Sequence, residues 1–214
     1  MLEAKIGVMV SGHSSGTNFQ AIIDAIARGE LHAKVALLIA SNENHGAVAR
    51  ARDANIRTLI LPPGPESTPE AWDHRAADAL YEEGASVLCL AGYLRRITPV
   101  LLEAFPRRIL NIHPALLPSF GGKGMYGLKV HRAVLEHGCK VTGCTVHLLD
   151  EHYDTGPIVA QACVPVEDGD TPESLAVRVQ MQEHRLYPQC IEWLVQDRLR
   201  IEARRVKVLK AKSE

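Results

Sequence analysis

Between Lys5 and Ala91 short aliphatic runs alternate with stretches of helix-like composition, and this alternation constrains the fold more than any other feature. Lys5 to Val10, Val35 to Ala40, Arg57 to Leu61 and Val87 to Ala91 read as strands. Asn18 to Arg28, Ala47 to Ala54, and Glu70 to Glu83 after Pro69 read as the helices between them. A βαβα order of this kind belongs to a parallel sheet. The runs Val8-Met9-Val10 and Val87-Leu88-Cys89-Leu90-Ala91 are continuously apolar, as strands covered by helices on both faces must be. The second half reads differently. After a helix from Leu128 to Glu136, the strands Val141 to Leu149 and Ile158 to Val166 are separated by a loop too short for a helical crossover, so they should pair antiparallel. Thr171-Pro172-Glu173-Ser174 then opens a helix to about Leu194, with Thr171 as N-cap and Ser174 where a capping box prefers Glu.

At 214 residues with 46% hydrophobic content, the chain fits a single domain, residues 1–214, with a substantial core. Its 24 Lys and Arg nearly balance 25 Asp and Glu, which gives no broad electrostatic reason to expect nucleic acid or an anionic membrane as partner. The basic stretch Arg204 to Lys212 alternates with apolar residues and suits a Lys-protected edge strand, with 201–214 as a terminal strand or tail. Met1 to Ile6 lacks the basic region and cleavage pattern of a secretory signal, and no apolar run is long enough to span a bilayer. Cys89, Cys139, Cys144, Cys163 and Cys190 are odd in number and irregularly spaced, which fits reduced thiols in a cytoplasmic protein and no zinc site. Small-molecule partners are therefore expected, with the protein a monomer or homodimer.

Two segments carry chemistry. Asn111-Ile112-His113-Pro114-Ala115 closes the apolar run Ile109-Leu110, and residues two apart on a strand share a face. Asn111 and His113 can thus both reach a ligand beyond the strand's C-terminal end, where open α/β sheets bind substrates. An amide N–H suits a developing oxyanion, and an imidazole exchanges protons near neutrality. The polar loop His147 to Pro157 supplies acids that can orient the imidazole; His147 itself is either a satisfied structural imidazole or a proton carrier. The second segment, Ser11-Gly12-His13-Ser14-Ser15-Gly16-Thr17-Asn18, precedes the first helix and either cradles a phosphate or simply caps that helix. It lacks the G-x-G-x-x-G fingerprint of dinucleotide binding.

Together with Leu90-Ala91-Gly92-Tyr93-Leu94-Arg95, the run from Asn111 to Pro118, and Asp154-Thr155-Gly156-Pro157-Ile158, these segments resemble the phosphoribosylglycinamide formyltransferase family over about 200 residues. The resemblance implies an α/β fold with an open, predominantly parallel Rossmann-like sheet flanked by helices and antiparallel strands in the C-terminal part. It implies Asn111, His113 and Asp154 as the catalytic three, and Asp154 over Asp150 because it directly precedes Thr-Gly-Pro. Gly16, Thr17, Asn18, Gln180 and Glu183 would bind the ribonucleotide. Tyr93, Leu94, Arg95, Arg96, Ile97, Asp150 and Glu151 would bind the folate, although Tyr93, Leu94 and Ile97 suit packing under the next helix equally and Glu183 suits a surface pair with Arg178. The co-substrate implied is 10-formyltetrahydrofolate, with no metal.

The expected reaction moves its formyl group to the primary amine of glycinamide ribonucleotide in purine synthesis. The oxyanion would be held by Asn111 and a protonated His113 favoured by Asp154. Residues 1–105 would form the ribonucleotide-phosphate half and 106–200 the catalytic and folate half. The alternative is a 10-formyltetrahydrofolate hydrolase, or transfer to an amino sugar or methionyl-tRNA. This chain departs from the compact family loop by carrying His13-Ser14-Ser15 and Thr17, and its glycine-rich segment Ser119 to Gly127 is long, with Lys123 as a weak phosphate contact.

Overall fold

The computed structural model describes residues 3–64 and 68–211; Pro65 of the proline-rich loop and Lys212 of the basic tail lie outside the described residues. The order of elements is β1 (Ala4–Val10), α1 (Thr17–Ala27), β2 (Ala33–Ala40), α2 (Gly46–Asp53), β3 (Thr58–Ile60), α3 (Pro69–Glu82), β4 (Val87–Leu90), α4 (Pro99–Ala104), β5 (Ile109–His113), α5 (Leu128–Glu136), β6 (Val141–Leu148), β7 (Ile158–Pro165), α6 (Pro172–Val195), β8 (Leu199–Glu202) and β9 (Arg205–Val208). Among the described residues the strands form one sheet in the order β3-β2-β1-β4-β5-β6-β7-β9-β8. Pairing is parallel from β3 through β5 and antiparallel across β5, β6 and β7. The chain winds outward from β1 in one direction through β2 and β3, and in the other through β4 and β5. That reversal opens a crevice at the C-terminal ends of β1 and β4.

Period-two alternation divides the core between the faces of the sheet. Ile6, Val8 and Val10 pack in one cluster with Phe19, Ile22 and Tyr187, whereas Met9 packs in the other with Trp72, Leu80 and Leu101. Helix α6 begins with the capping box that Ser174 was not expected to complete: Thr171 Oγ1 accepts the Ser174 N–H and Ser174 Oγ accepts the Thr171 N–H. A serine hydroxyl makes the reciprocal bond because it needs only an acceptor lone pair at the right distance. Further along, the buried hydroxyl of Tyr187 donates to the carbonyls of Leu90 (2.8 Å) and Leu110 (3.0 Å), fixing α6 against the ends of β4 and β5. One turn earlier on the same helix stands Glu183.

Two expectations change. Helix α4 follows Thr98-Pro99, a cap-and-proline start that the strand-based reading passed over. The basic C-terminal segment forms β9, which is interior to the sheet: it pairs with β7 on one side and with β8 on the other, so β8 is the edge strand. The hairpin turn places Ala203 at φ 53 without the Asn-Gly or Asp-Gly that normally marks such a turn.

Candidate active site

The antiparallel register sets Asn111 directly opposite His147, and His113 opposite Thr145. Cross-strand neighbours share a face, so Asn111 and His147 meet: Nδ2 of the amide lies 3.1 Å from Nε2 of the imidazole. His147 Nδ1 lies 3.0 Å from the carbonyl of Leu148, which can only accept, so Nδ1 carries a proton, and the contact at Nε2 holds the Asn111 amide in place. This orients the amide and leaves its second N–H for the cleft. Both ring nitrogens of His147 are thus engaged, and one partner is Asn111, a contact that residue spacing did not show.

Asp154 reaches the same corner from the loop between β6 and β7, in a left-handed conformation at φ 57. The loop can approach so closely because residue 156 is glycine; a Cβ there would lie 1.7 Å from the carbonyl oxygen of Leu148. Asp154 Oδ2 accepts the Gly122 N–H at 2.8 Å and faces His113 Nδ1 at 3.6 Å, while Oδ1 faces His147 Nε2 at 3.6 Å. Burial pushes the Asp154 carboxyl up, but His147, His113 and the Gly122 N–H together outweigh it and hold the group below its ordinary value.

His113 is buried, and its Nε2–H donates to the carbonyl of Phe120 at 2.9 Å. Here burial dominates. It lowers the imidazole's pKa, with His147 adding to the effect, against the raising influence of Asp154 and the Phe120 carbonyl. Desolvation thus favours the neutral imidazole in the unliganded protein, whereas the protonated His113 expected from the resemblance belongs to the reaction intermediate. His131, on α5, also lines the cleft, buried and with Nδ1 unpartnered among the described residues; burial and nearby His113 depress it to about 4.

The cleft running from this corner has a volume of about 320 Å³ and ends at the start of α1. Gly16, the N-cap, is left-handed at φ 71, and no side chain caps the helix, so its first N–H groups face the cleft end uncapped. A Cβ on Gly16 would lie 2.5 Å from the Ala47 nitrogen, so the turn demands glycine. From α6, Gln180 Nε2 donates to Thr17 Oγ1 and Glu183 Oε2 accepts from Asn18 Nδ2, both at 2.9 Å. Glu183 is therefore not paired with Arg178, whose guanidinium binds Asp170. Burial raises the Glu183 carboxyl, offset in part by Asn18. His13 and Lys123 are exposed and stand outside the lining.

A second, smaller cleft of about 60 Å³ is lined by Tyr93, Arg95, Arg96, Ile97, Asp150 and Glu151 among others. Tyr93 and Ile97 also pack in the Trp72 cluster, so packing and lining are not alternatives for them. Arg95 stacks 4.5 Å above the Trp72 ring, and Arg96 donates to the Glu151 carbonyl. Asp150 Oδ1 is engaged by the His152 N–H and the Thr155 hydroxyl, which makes it a brace of its own loop. Leu94 faces the larger cleft instead. The two clefts share Tyr93, Asn111, Tyr153 and Asp154, so they meet at the polar corner. Among the described residues no group of three His, Cys, Asp or Glu side chains could hold a metal ion, and no helix is long and apolar enough to cross a membrane.

Comparison with known proteins matches this architecture. The family model described as formyl transferase covers residues 4–191. The chain is 43% identical over 197 residues to a chloroplastic phosphoribosylglycinamide formyltransferase of Arabidopsis thaliana, covering 92% of this chain and 67% of that protein. It is 36% identical over 196 residues to the phosphoribosylglycinamide formyltransferase of Escherichia coli, covering 92% and 89%. The crystal structure of glycinamide ribonucleotide transformylase 1 from Symbiobacterium toebii superposes with a TM-score of 0.91 at 44% identity, over 97% of this chain and 94% of that one. Two clefts that meet at Asn111 and Asp154 thus occur on a chain that belongs to the formyl transferase family, within its phosphoribosylglycinamide formyltransferase group.

Proposed function

We propose that the protein transfers the formyl group of 10-formyltetrahydrofolate to the primary amine of glycinamide ribonucleotide. The observation that carries this reading is the meeting of two clefts at Asn111 and Asp154, one ending at an uncapped helix N-terminus suited to a phosphate and the other a narrow, partly apolar slot. The ribonucleotide occupies the larger cleft, its ribose hydroxyls on Glu183 and its amine directed at the corner. The folate lies against Tyr93, Arg95 and Ile97, with the 150–151 loop opposite.

Attack of the amine on the formyl carbon places negative charge on the formyl oxygen, which the free N–H of Asn111 receives. The attacking nitrogen becomes cationic and must lose a proton. Neutral His113 is the base, and the imidazolium it becomes is stabilised by Asp154. That proton then goes to the departing folate nitrogen as the C–N bond breaks. The low resting pKa of His113 suits this sequence, because a protonated imidazole could not accept.

Absorbance at the wavelength of the folate product, followed with and without glycinamide ribonucleotide, tests the reading. Product that forms only with the ribonucleotide supports transfer. Equal product without it means formyl hydrolysis, and inertness in both cases means another acceptor or a binding role.

A further inference from the structure

The residues by which this chain lengthens its first loop are held by an unusual cap. Helix α2 begins after His45, whose Nδ1 accepts the Ala47 N–H at 3.1 Å. A nitrogen that accepts carries no proton, so the ring hydrogen of neutral His45 is on Nε2. Nε2 lies 3.0 Å from Ser14 Oγ. The imidazole therefore donates and the hydroxyl accepts, which leaves the hydroxyl proton of Ser14 to be given elsewhere. His45 is 1% exposed, and burial, aided by His13, keeps it neutral, so the direction of this chain is fixed.

The backbone around Ser14 is held as firmly. The Ser14 carbonyl accepts from the Gly46 N–H at 2.9 Å and the Ser15 carbonyl from Arg50 Nε at 2.9 Å. A Cβ on Gly46 would lie 2.4 Å from the Ser15 oxygen, so loop and helix are in direct contact. Ser14 lines the larger cleft, and its Oγ stands 3.4 Å from where a Cβ of Gly92 would be, between the loop and the end of β4. The acidic residues of this cleft, Asp154 and Glu183, belong to other elements; the stretch Ser14 to Asn18 brings none.

We propose that Ser14 is a further substrate-binding residue, its hydroxyl donating to the phosphate of the ribonucleotide, and that His45 is the positioning residue that sets the hydroxyl's direction. This rests on the ribonucleotide reading of the larger cleft. A phosphate oxygen only accepts, and a hydroxyl whose lone pair is already engaged by an imidazole N–H is polarised to donate. The three residues that distinguish this loop from the compact family form would thus add one donor to the anion end.

The test is steady-state kinetics of Ser14→Ala and His45→Asn against glycinamide ribonucleotide and its unphosphorylated riboside. Asn still caps α2 but cannot span the distance to Ser14. Each variant should raise the ribonucleotide KM about tenfold, the size of one hydrogen bond to a charged group, with kcat and the folate KM within about twofold of the parent protein. The riboside's kcat/KM should not move, and the double variant should be no worse than either single one. An unchanged ribonucleotide KM in Ser14→Ala, or an equal loss with the riboside, overturns the assignment. If the unsubstituted protein does not use the ribonucleotide at all, the parent reading fails, and inorganic phosphate then decides the local one. A phosphate-induced rise in Tm that is reduced in Ser14→Ala upholds the hydroxyl as an anion donor; an equal rise in both removes it.

Discussion

The proposed reactive corner and the proposed anion end lie at opposite ends of one cleft and are built on opposite principles. At the corner, Asn111 is bonded to His147, His113 to Phe120 and Asp154 to Gly122, so each side chain is oriented by the protein before any ligand arrives. At the anion end, α1 starts without a side-chain cap and its N–H groups stay open to the cleft. Pre-set dipoles at a reacting centre act on the transition state, whereas open donors at a distance act on binding. Substitutions should therefore separate, with losses in kcat at the corner and in KM at the anion end.

The largest effect should fall on the corner. Asn111→Ala, His113→Ala and Asp154→Ala should each fold and lose at least ~100-fold in kcat, since one oxyanion donor is worth roughly 3–4 kcal/mol in comparable acyl transfers. Urea denaturation beside the kinetics checks both parts. A near-normal rate in His113→Ala removes the imidazole from the mechanism and with it the contrast between the two ends.

Nearly as large is the effect of acid on His131. Its folded pKa, about 4, is below the unfolded value, so the native state binds fewer protons than the unfolded chain between about 4 and 6.5. The stability this represents is fully present above 6.5 and is lost as pH falls toward 4; a shift of this size corresponds to roughly 3 kcal/mol. Urea midpoints at pH 7 and pH 4.5 should diverge strongly in the parent protein and less in His131→Gln. Equal divergence would place the acid sensitivity in His45, His113 and His184, whose pKa values burial also lowers.

A smaller and purely binding effect is expected at the other end. Asn18→Ala removes the donor to Glu183 Oε2 and leaves a buried carboxylate without that bond. The ribonucleotide KM should rise about tenfold, as for one hydrogen bond to a charged group, while kcat holds. A kcat loss of the same size would mean that the α1 and α6 contact aligns the amine as well as binding the ribose.

What the sequence disclosed and what it withheld follow the same division between local and distant chemistry. Strands β1 to β7 and helices α1, α2, α3, α5 and α6 were legible because apolar runs, prolines and Thr171 act within a few residues of themselves. The likeness to a family located Asn111, His113 and Asp154. The partnership of Asn111 with His147 was hidden, since it depends on strand register across 36 residues. So was the place of β9 inside the sheet, whose turn at Ala203 carries no glycine signal. Leu94 lines the other cleft, and its N–H donates to Ser11 Oγ at 2.7 Å, a bond spanning 83 residues that no local pattern announces. The lowering of the His113 imidazole was hidden as well, because it comes from burial, which no motif encodes.

The pH profile of kcat/KM turns on His113. Two influences compete at His113: burial, which disfavours the imidazolium, and the Asp154 carboxylate 3.6 Å from Nδ1, which favours it. If burial prevails in the working enzyme as in the unliganded one, the base is neutral at pH 7, and kcat/KM falls only on the acid side, with a midpoint below the ordinary imidazole value of 6.5. Asp154→Asn removes the carboxylate and leaves burial unopposed, so its residual activity should show that midpoint moved further down. A kcat/KM that instead falls on the alkaline side, as His113 loses its proton, would mean that the carboxylate outweighs desolvation, with the imidazolium as the resting species and the proton donor. The direction of the shift in Asp154→Asn is the same in either case. The side on which the parent profile falls distinguishes a base that is charged during the reaction from an acid that is charged before it.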